Sequence, residues 1–267
     1  MTTICLTGAT DGIGLATARV LLAGGHRVHA RSEERGRPVL DELLAAPGRR
    51  GEAVLVTGDL ARPTEVRALA AQVVASGPVD VLVHNAGVWV RGDIPTRTED
   101  GLETTFAVNV LAAHLLTTLL VDHVRSRLVW LGSGMAGSGR PDPARLGHPQ
   151  DAQRAYADSK ACDVALAVAW GRRRPELASA ALDPGWVPTK LASRGAPGQV
   201  RDSAASLAFC CLPREEGGAD LGSAPYWKGR RPIQLPVRLR DPELCDAVAR
   251  SCDDLLGPAR SERLPAE

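Results

Sequence analysis

Tyr156 and Lys160 stand four residues apart in a stretch of helical periodicity, so their side chains share one face with Cβ atoms about 6 Å apart. A free phenol has a pKa of about 10 and is a weak acid near neutrality. A neighbouring ammonium favours the phenolate and brings proton transfer into the working range. Such a pair can protonate a carbonyl oxygen as hydride reaches its carbon, or remove an alcohol proton in the reverse direction.

Composition makes the pair stand out. The 267 residues include two tyrosines, Tyr156 and Tyr226, and three lysines, Lys160, Lys190 and Lys228. Random placement would give a Tyr–Lys pair at this spacing about 0.02 times. Arginine makes up the rest of the 32 basic residues, yet its planar guanidinium does not replace a compact ammonium.

The elements that must position the pair follow from hydrophobic periodicity. Short apolar runs at 4–7, 27–30, 53–57, 79–84, 128–131, 178–182 and near 223–227 read as strands. Helical patterns fill 12–23, 33–46, 63–76, 101–124, 152–173 and 200–212, with a last one at 242–256. Strict alternation predicts an α/β protein: one Rossmann-type, doubly wound parallel sheet of about seven strands with helices on both faces, as a single domain over 1–267. Irregular segments at 134–150 and 187–198 are expected to form substrate loops at the carboxyl edge, and 229–267 a C-terminal extension.

Strand one runs into Thr7-Gly8-Ala9-Thr10-Asp11-Gly12-Ile13-Gly14 and then a helix. Glycines there allow a tight turn and let backbone N–H groups approach a pyrophosphate at the helix N-terminus. At the end of strand two, a carboxylate would bind the 2′-hydroxyl of NAD and an arginine would accept the 2′-phosphate of NADP. With the strand ending at Ala30, Arg31 and Ser32 face that position, which favours NADP(H), with NAD(H) through Glu33 or Glu34 the alternative.

A net charge of +1 excludes a strongly basic nucleic-acid binder or polybasic membrane-surface protein. No uninterrupted run of 18 apolar residues predicts a membrane span, and the N-terminus has no signal-peptide pattern. Six cysteines without CxxC or metal-ligand spacing predict buried thiols in a cytoplasmic protein and no metal site.

Further motifs complete a pattern: Asp59-Leu60 after strand three, Asn85-Ala86-Gly87 after strand four, Asn109 in a long helix, Ser133 after strand five, and Pro184-Gly185-Trp186-Val187-Pro188-Thr189 after strand six. With the glycine-rich turn and Tyr156-Ala157-Asp158-Ser159-Lys160, the chain resembles the short-chain dehydrogenase/reductase family over residues 2–227. Arg97–Glu103, Asp183–Thr189 and the 23-residue Ser133–Tyr156 separation are similar to the branch of retinol dehydrogenases and daunorubicin C-13 ketoreductases. Strand two is about two residues short against relatives, and Gly132 stands where they often carry a serine.

The resemblance implies a catalytic set of Asn109, Ser133, Tyr156 and Lys160. Lys160 would also hold nicotinamide ribose hydroxyls, Ser133 would polarise the carbonyl, and Asn109 would fix a relay water. Gly8, Thr10, Asp11, Gly12, Ile13, Gly14, Arg31, Ser32, Asp59, Leu60, Asn85, Ala86, Gly87, Pro184, Gly185, Val187 and Thr189 would contact the cofactor. Trp89, Met135, Trp186, Leu191 and Trp227 are candidate substrate-pocket liners, and Arg140, Arg145, His148 and Arg154 read as a solvated insert. The expected activity is an NADPH-dependent carbonyl reductase for a small-molecule ketone or aldehyde of polyketide type, in a homodimer or tetramer paired through the helices at 101–124 and 152–173. The alternatives are an NAD(P)⁺-dependent alcohol dehydrogenase and a silent cofactor-binding sensor.

Overall fold

The computed structural model describes residues 1–32, 36–92, 96–148, 150–191 and 195–257, with only the backbone given for Ser32 and Ser223. Glu33, Glu34 and the end of the C-terminal extension therefore lie outside the described residues, as do positions 192–194 of the second substrate loop.

Among the described residues, eight strands form one sheet in the order β3-β2-β1-β4-β5-β6-β7-β8: β1 Thr3–Leu6, β2 Arg27–Ser32, β3 Glu52–Thr57, β4 Val79–His84, β5 Val124–Leu131, β6 Ala178–Asp183, β7 Tyr226–Lys228 and β8 Arg231–Pro232. The first seven pair in parallel, and the central strands β1, β4 and β5 bury their apolar residues on both faces, as crossover helices require. Helices α1 (Gly12–Ala23), α2 (Gly36–Ala45) and α7 (Val200–Cys211) contribute to one core cluster. On the other face lie α3 (Pro63–Ala75), α4 (Thr104–Phe106), α5 (Ala112–Leu120), α6 (Ala152–Arg173) and α8 (Pro242–Leu256). Strand order reverses between β1 and β4, the crevice where such sheets take ligands.

The structure corrects the expected elements at three places. The sheet has an eighth strand, because Gly229, at φ +59°, turns the chain back so that Arg231 and Pro232 pair antiparallel with β7. Proline is tolerated at such an edge. Strand two continues through Ser32 rather than ending at Ala30, in register with β3 through Ser32–Thr57. The helix expected over 101–124 starts at Thr104, where the Glu103 carboxylate accepts the N–H groups of Thr105 (2.9 Å) and Phe106 (2.7 Å). It then widens into a π turn at Ala107–Leu111 and closes at His123, and β5 begins at once at Val124.

By length and composition this helical run, 104–123, could cross a membrane, which a count of uninterrupted apolar residues passes over; 89% of its most apolar window is buried inside the fold. Its outer face, with that of α6, is packed by α8 through Cys245, Val248, Ala249, Cys252 and Leu256. Asp253 fastens α8 to the His114 ring (2.6 Å) and to Arg173 (2.9 Å).

Candidate active site

The glycine-rich turn is held from two sides. Gly8 has φ +67° and Gly12 φ +50°, and Asp11 caps α1 by accepting the Gly12 N–H at 2.7 Å. Thr7 Oγ1 accepts the N–H groups of Asn85 and Ala86, each at 3.0 Å. The Asn85 amide donates to the carbonyls of Thr7 (2.8 Å) and Gly8 (3.2 Å), so its side chain is an internal clamp rather than an open cofactor contact. A Cβ at Gly14 would lie 2.0 Å from the Gly8 carbonyl oxygen, and one at Gly12 would lie 3.3 Å from Thr189 Cγ2. The turn is therefore a cradle that only glycine fills, and it fits a pyrophosphate at the α1 N-terminus. Asp11 also pairs with Lys190 (2.5 Å), joining the turn to the loop after β6, and Thr10 and Ile13 on either side of it are half-buried.

Arg31 is buried within β2, and its Nε donates to the Gly58 carbonyl at 2.9 Å. Asp59 follows directly, accepting the Ala61 N–H (2.8 Å) beside Arg62 (3.6 Å). Two expected contacts prove to be core residues. Leu60 is buried against the α3 and α5 side of the sheet, because the turn after β3 directs it inward. Trp227 is buried on β7, edge-on to Phe209, with its N–H donated to the Ala224 carbonyl (2.8 Å). It lines no pocket.

The catalytic candidates converge at the ends of β4 and β5. A Cβ on Gly87 would lie 3.3 Å from Asn109 Oδ1 and 3.5 Å from Lys160 Nζ, so glycine leaves room for both. Asn109 sits in the π turn, a feature frequent at functional sites. Its Oδ1 accepts the Val88 N–H (2.7 Å), and its Nδ2 donates to the Val88 carbonyl (2.9 Å) and Ser159 Oγ (3.0 Å). Ser133 Oγ accepts the Met135 N–H (3.2 Å), leaving its own proton available to donate. Tyr226, whose phenol is raised by burial and by Asp183, donates to the Ser133 carbonyl (3.1 Å) and fixes the turn.

Lys160 Nζ lies 5.8 Å from the Tyr156 ring centre and donates to the Leu131 carbonyl (2.9 Å) and to Asp163 Oδ2 (2.8 Å). Asp163 and Ser159 were not singled out in the sequence, although 156, 160 and 163 share one helix face. Trp89 stacks on the Tyr156 ring, with centres 4.7 Å apart and planes 12° apart. The Arg91 guanidinium covers Trp89 at 4.4 Å and donates to the Leu191 carbonyl (2.6 Å). Trp89 thus borders the phenol, Arg91 ties it to the Leu191 backbone, and Met135 lies two residues after Ser133 on the turn that follows β5. Trp186 is 57% exposed.

After β6, Gly185 adopts φ +82° and donates to Asp183 Oδ1 (2.9 Å), the Pro184 carbonyl accepts from Ser203 (2.6 Å), and Val187 is buried. Arg140, Arg145, His148 and Arg154 are exposed around a separate cavity of about 280 Å³ on another face of α6.

A glycine cradle at the switch point with a Tyr–Lys pair beyond it is the arrangement of a dinucleotide-dependent oxidoreductase. The chain belongs to the short-chain dehydrogenase family, whose model, described as short chain dehydrogenase, matches residues 2–142. An uncharacterized oxidoreductase of Emericella nidulans is 36% identical over 261 residues, covering 96% of this chain and 98% of its own. A protein of Streptomyces sp. (strain C5), provisionally named daunorubicin C-13 ketoreductase DnrU, is 35% identical over 241 residues, 87% of this chain and 79% of its own. Among solved structures, a short chain dehydrogenase from Burkholderia cenocepacia J2315 in complex with NADP matches with TM-score 0.67 and 26% identity, over 84% of this chain and 94% of that one. The chain is an NAD(P)-dependent oxidoreductase of this family.

Proposed function

We propose that the protein is an NADPH-dependent carbonyl reductase in which Tyr156 is the general acid. The observation that carries this reading is the convergence of Tyr156, Lys160 and Asn109 beside Gly87, with the glycine cradle at the neighbouring strand end. When bound, the reduced nicotinamide supplies the hydride. The Ser133 hydroxyl holds and polarises the substrate carbonyl, the Tyr156 hydroxyl delivers the proton to its oxygen, and Lys160 supplies the charge that makes the phenol a competent donor. Asn109 orders the helix turn beside them. The Trp89–Tyr156 stack, covered by the Arg91 guanidinium that binds the Leu191 carbonyl, forms an aromatic wall with a polar edge that suits a flat, bulky ketone of polyketide type.

Residues 1–267 act in this reading as one domain. Six free, buried cysteines accord with a cytoplasmic setting. Because α8 covers the faces of α5 and α6, the chain is not expected to pair through them.

Arg31 is assigned to the 2′-phosphate of NADP, from its place beside Gly58 and Asp59. Charge-assisted hydrogen bonds contribute about 1.5–3 kcal/mol. Arg31→Ala should therefore weaken NADPH binding about 10- to 100-fold and NADH binding less than threefold, read by fluorescence titration. Equal losses for both cofactors would remove the phosphate assignment.

A further inference from the structure

Lys160 is 5% exposed and Asp163 4%, a buried ion pair directly behind the catalytic phenol. Burial alone drives an ammonium toward its neutral form, because the charged form loses hydration. Burial does pull Lys160 downward, but the carboxylate of Asp163, helped by Tyr156, outweighs it and leaves the ammonium raised. Burial lifts the Asp163 carboxyl to about 6 against the opposing pull of Lys160. Its Oδ1 has no hydrogen-bond partner among the described residues, so the carboxylate is held through Oδ2 and Lys160.

Among the described residues, neighbouring elements supply no substitute. From β6, Asp183 turns to Lys228 (3.0 Å); from α5, His114 is bound to Asp253 and lowered by burial. From α8, Cys252 is a thiol raised far by burial; from β7, Tyr226 is a phenol raised by burial. On α6 itself, Cys162 is raised by burial and Asp158 turns to Arg154 (3.5 Å) and the Arg140 N–H (2.6 Å). The π turn and β5 present uncharged groups, the Asn109 amide and the Leu131 carbonyl.

We propose that Asp163 is the positioning residue of this site: its carboxylate keeps the Lys160 ammonium charged and fixes it between β5 and the Tyr156 ring. Asp163 touches neither substrate nor cofactor and acts through Lys160. The functional half rests on the reading that Lys160 serves Tyr156, whereas the charge itself can be read without substrate.

With three lysines in the chain, the side-chain nitrogen resonance of Lys160 can be followed by NMR in uniformly lysine-labelled protein. In the unaltered protein Lys160 should hold its proton through the ordinary lysine range, about 10.4. Release below pH 9 would overturn the proposal. In Asp163→Asn the titration should fall by about two units or more, because burial then acts without the carboxylate. Asp163→Glu, which keeps the charge, should restore most of it, and Asp163→Ser reads the same fall if the amide disturbs folding. An unmoved titration in Asp163→Asn, or equal falls in Asp163→Asn and Asp163→Glu, overturns the proposal. NADPH-driven kcat should fall at least about tenfold at pH 8 in Asp163→Asn and recover in Asp163→Glu. If the nitrogen titration shifts as expected and no carbonyl is reduced by any form, the ion pair stands and the catalytic reading fails.

Discussion

Tyr156→Phe should lower carbonyl reduction about a thousandfold, within the 10²- to 10⁴-fold that a positioned general acid contributes, while NADPH binding changes less than threefold. The substitution removes one oxygen and keeps the ring. The Trp89 stack, 4.7 Å between ring centres, can therefore persist. The structure gives the Tyr156 hydroxyl no hydrogen bond among the described residues, so its removal leaves no buried partner stranded, and the melting temperature should hold. Stopped-flow loss of nicotinamide absorbance with saturating ketone measures the first effect, and fluorescence titration the second. Turnover within tenfold of the unaltered enzyme would assign the proton to another group.

The second large effect is expected at the cofactor end, from a single methyl group. Gly14→Ala would place a Cβ 2.0 Å from the Gly8 carbonyl oxygen and 2.5 Å from Asn85 Nδ2, both parts of the clamp joining β1 to β4. Neither backbone carbonyl nor clamped amide can swing away as a flexible side chain would, so the turn itself must move. Overpacking of this kind costs about 1–3 kcal/mol, which for a chain of this size lowers the melting temperature by roughly 2–12 °C. NADPH affinity should fall at least about tenfold, because the displaced N–H groups are those facing the pyrophosphate. Gly137→Ala, whose Cβ would meet nothing within 4 Å, is the matched control and should change neither quantity. Normal affinity and melting in Gly14→Ala would mean that the cradle is not built as described.

Much of this site was legible because its residues combine a local signal with a fixed place in the fold. Glycines between a strand and a helix, and a Tyr–Lys pair at helical spacing, keep their meaning whatever packs around them. Helices α1, α6 and α8 were bounded to the residue, where Asp11, Asp151 and Asp241 cap them. What escaped depended on direction or on neighbours distant in sequence. Leu60, after β3, and Trp227, on β7, stand near strand ends as site residues do, but packing turns them into the core. The start of β5 was hidden because Val124-Arg125-Ser126-Arg127 continues a Leu-rich helical run, and only pairing with β4 makes it a strand. An acid three residues after a lysine carries no signal of burial in the sequence, yet Asp163 is 4% exposed. Its burial comes from β5, β6 and α8, which periodicity within one helix does not reveal.

The central claim is that this chain moves hydride from NADPH to a carbonyl carbon with Tyr156 supplying the proton. The most direct test incubates the enzyme with C4-deuterated NADPH and a panel of aromatic and polyketide-type ketones, and reads the products by mass spectrometry. The account predicts alcohol carrying one deuterium on the former carbonyl carbon, formed by the unaltered enzyme and lost in Tyr156→Phe. Tight NADPH binding with no deuterated alcohol from any ketone would contradict it.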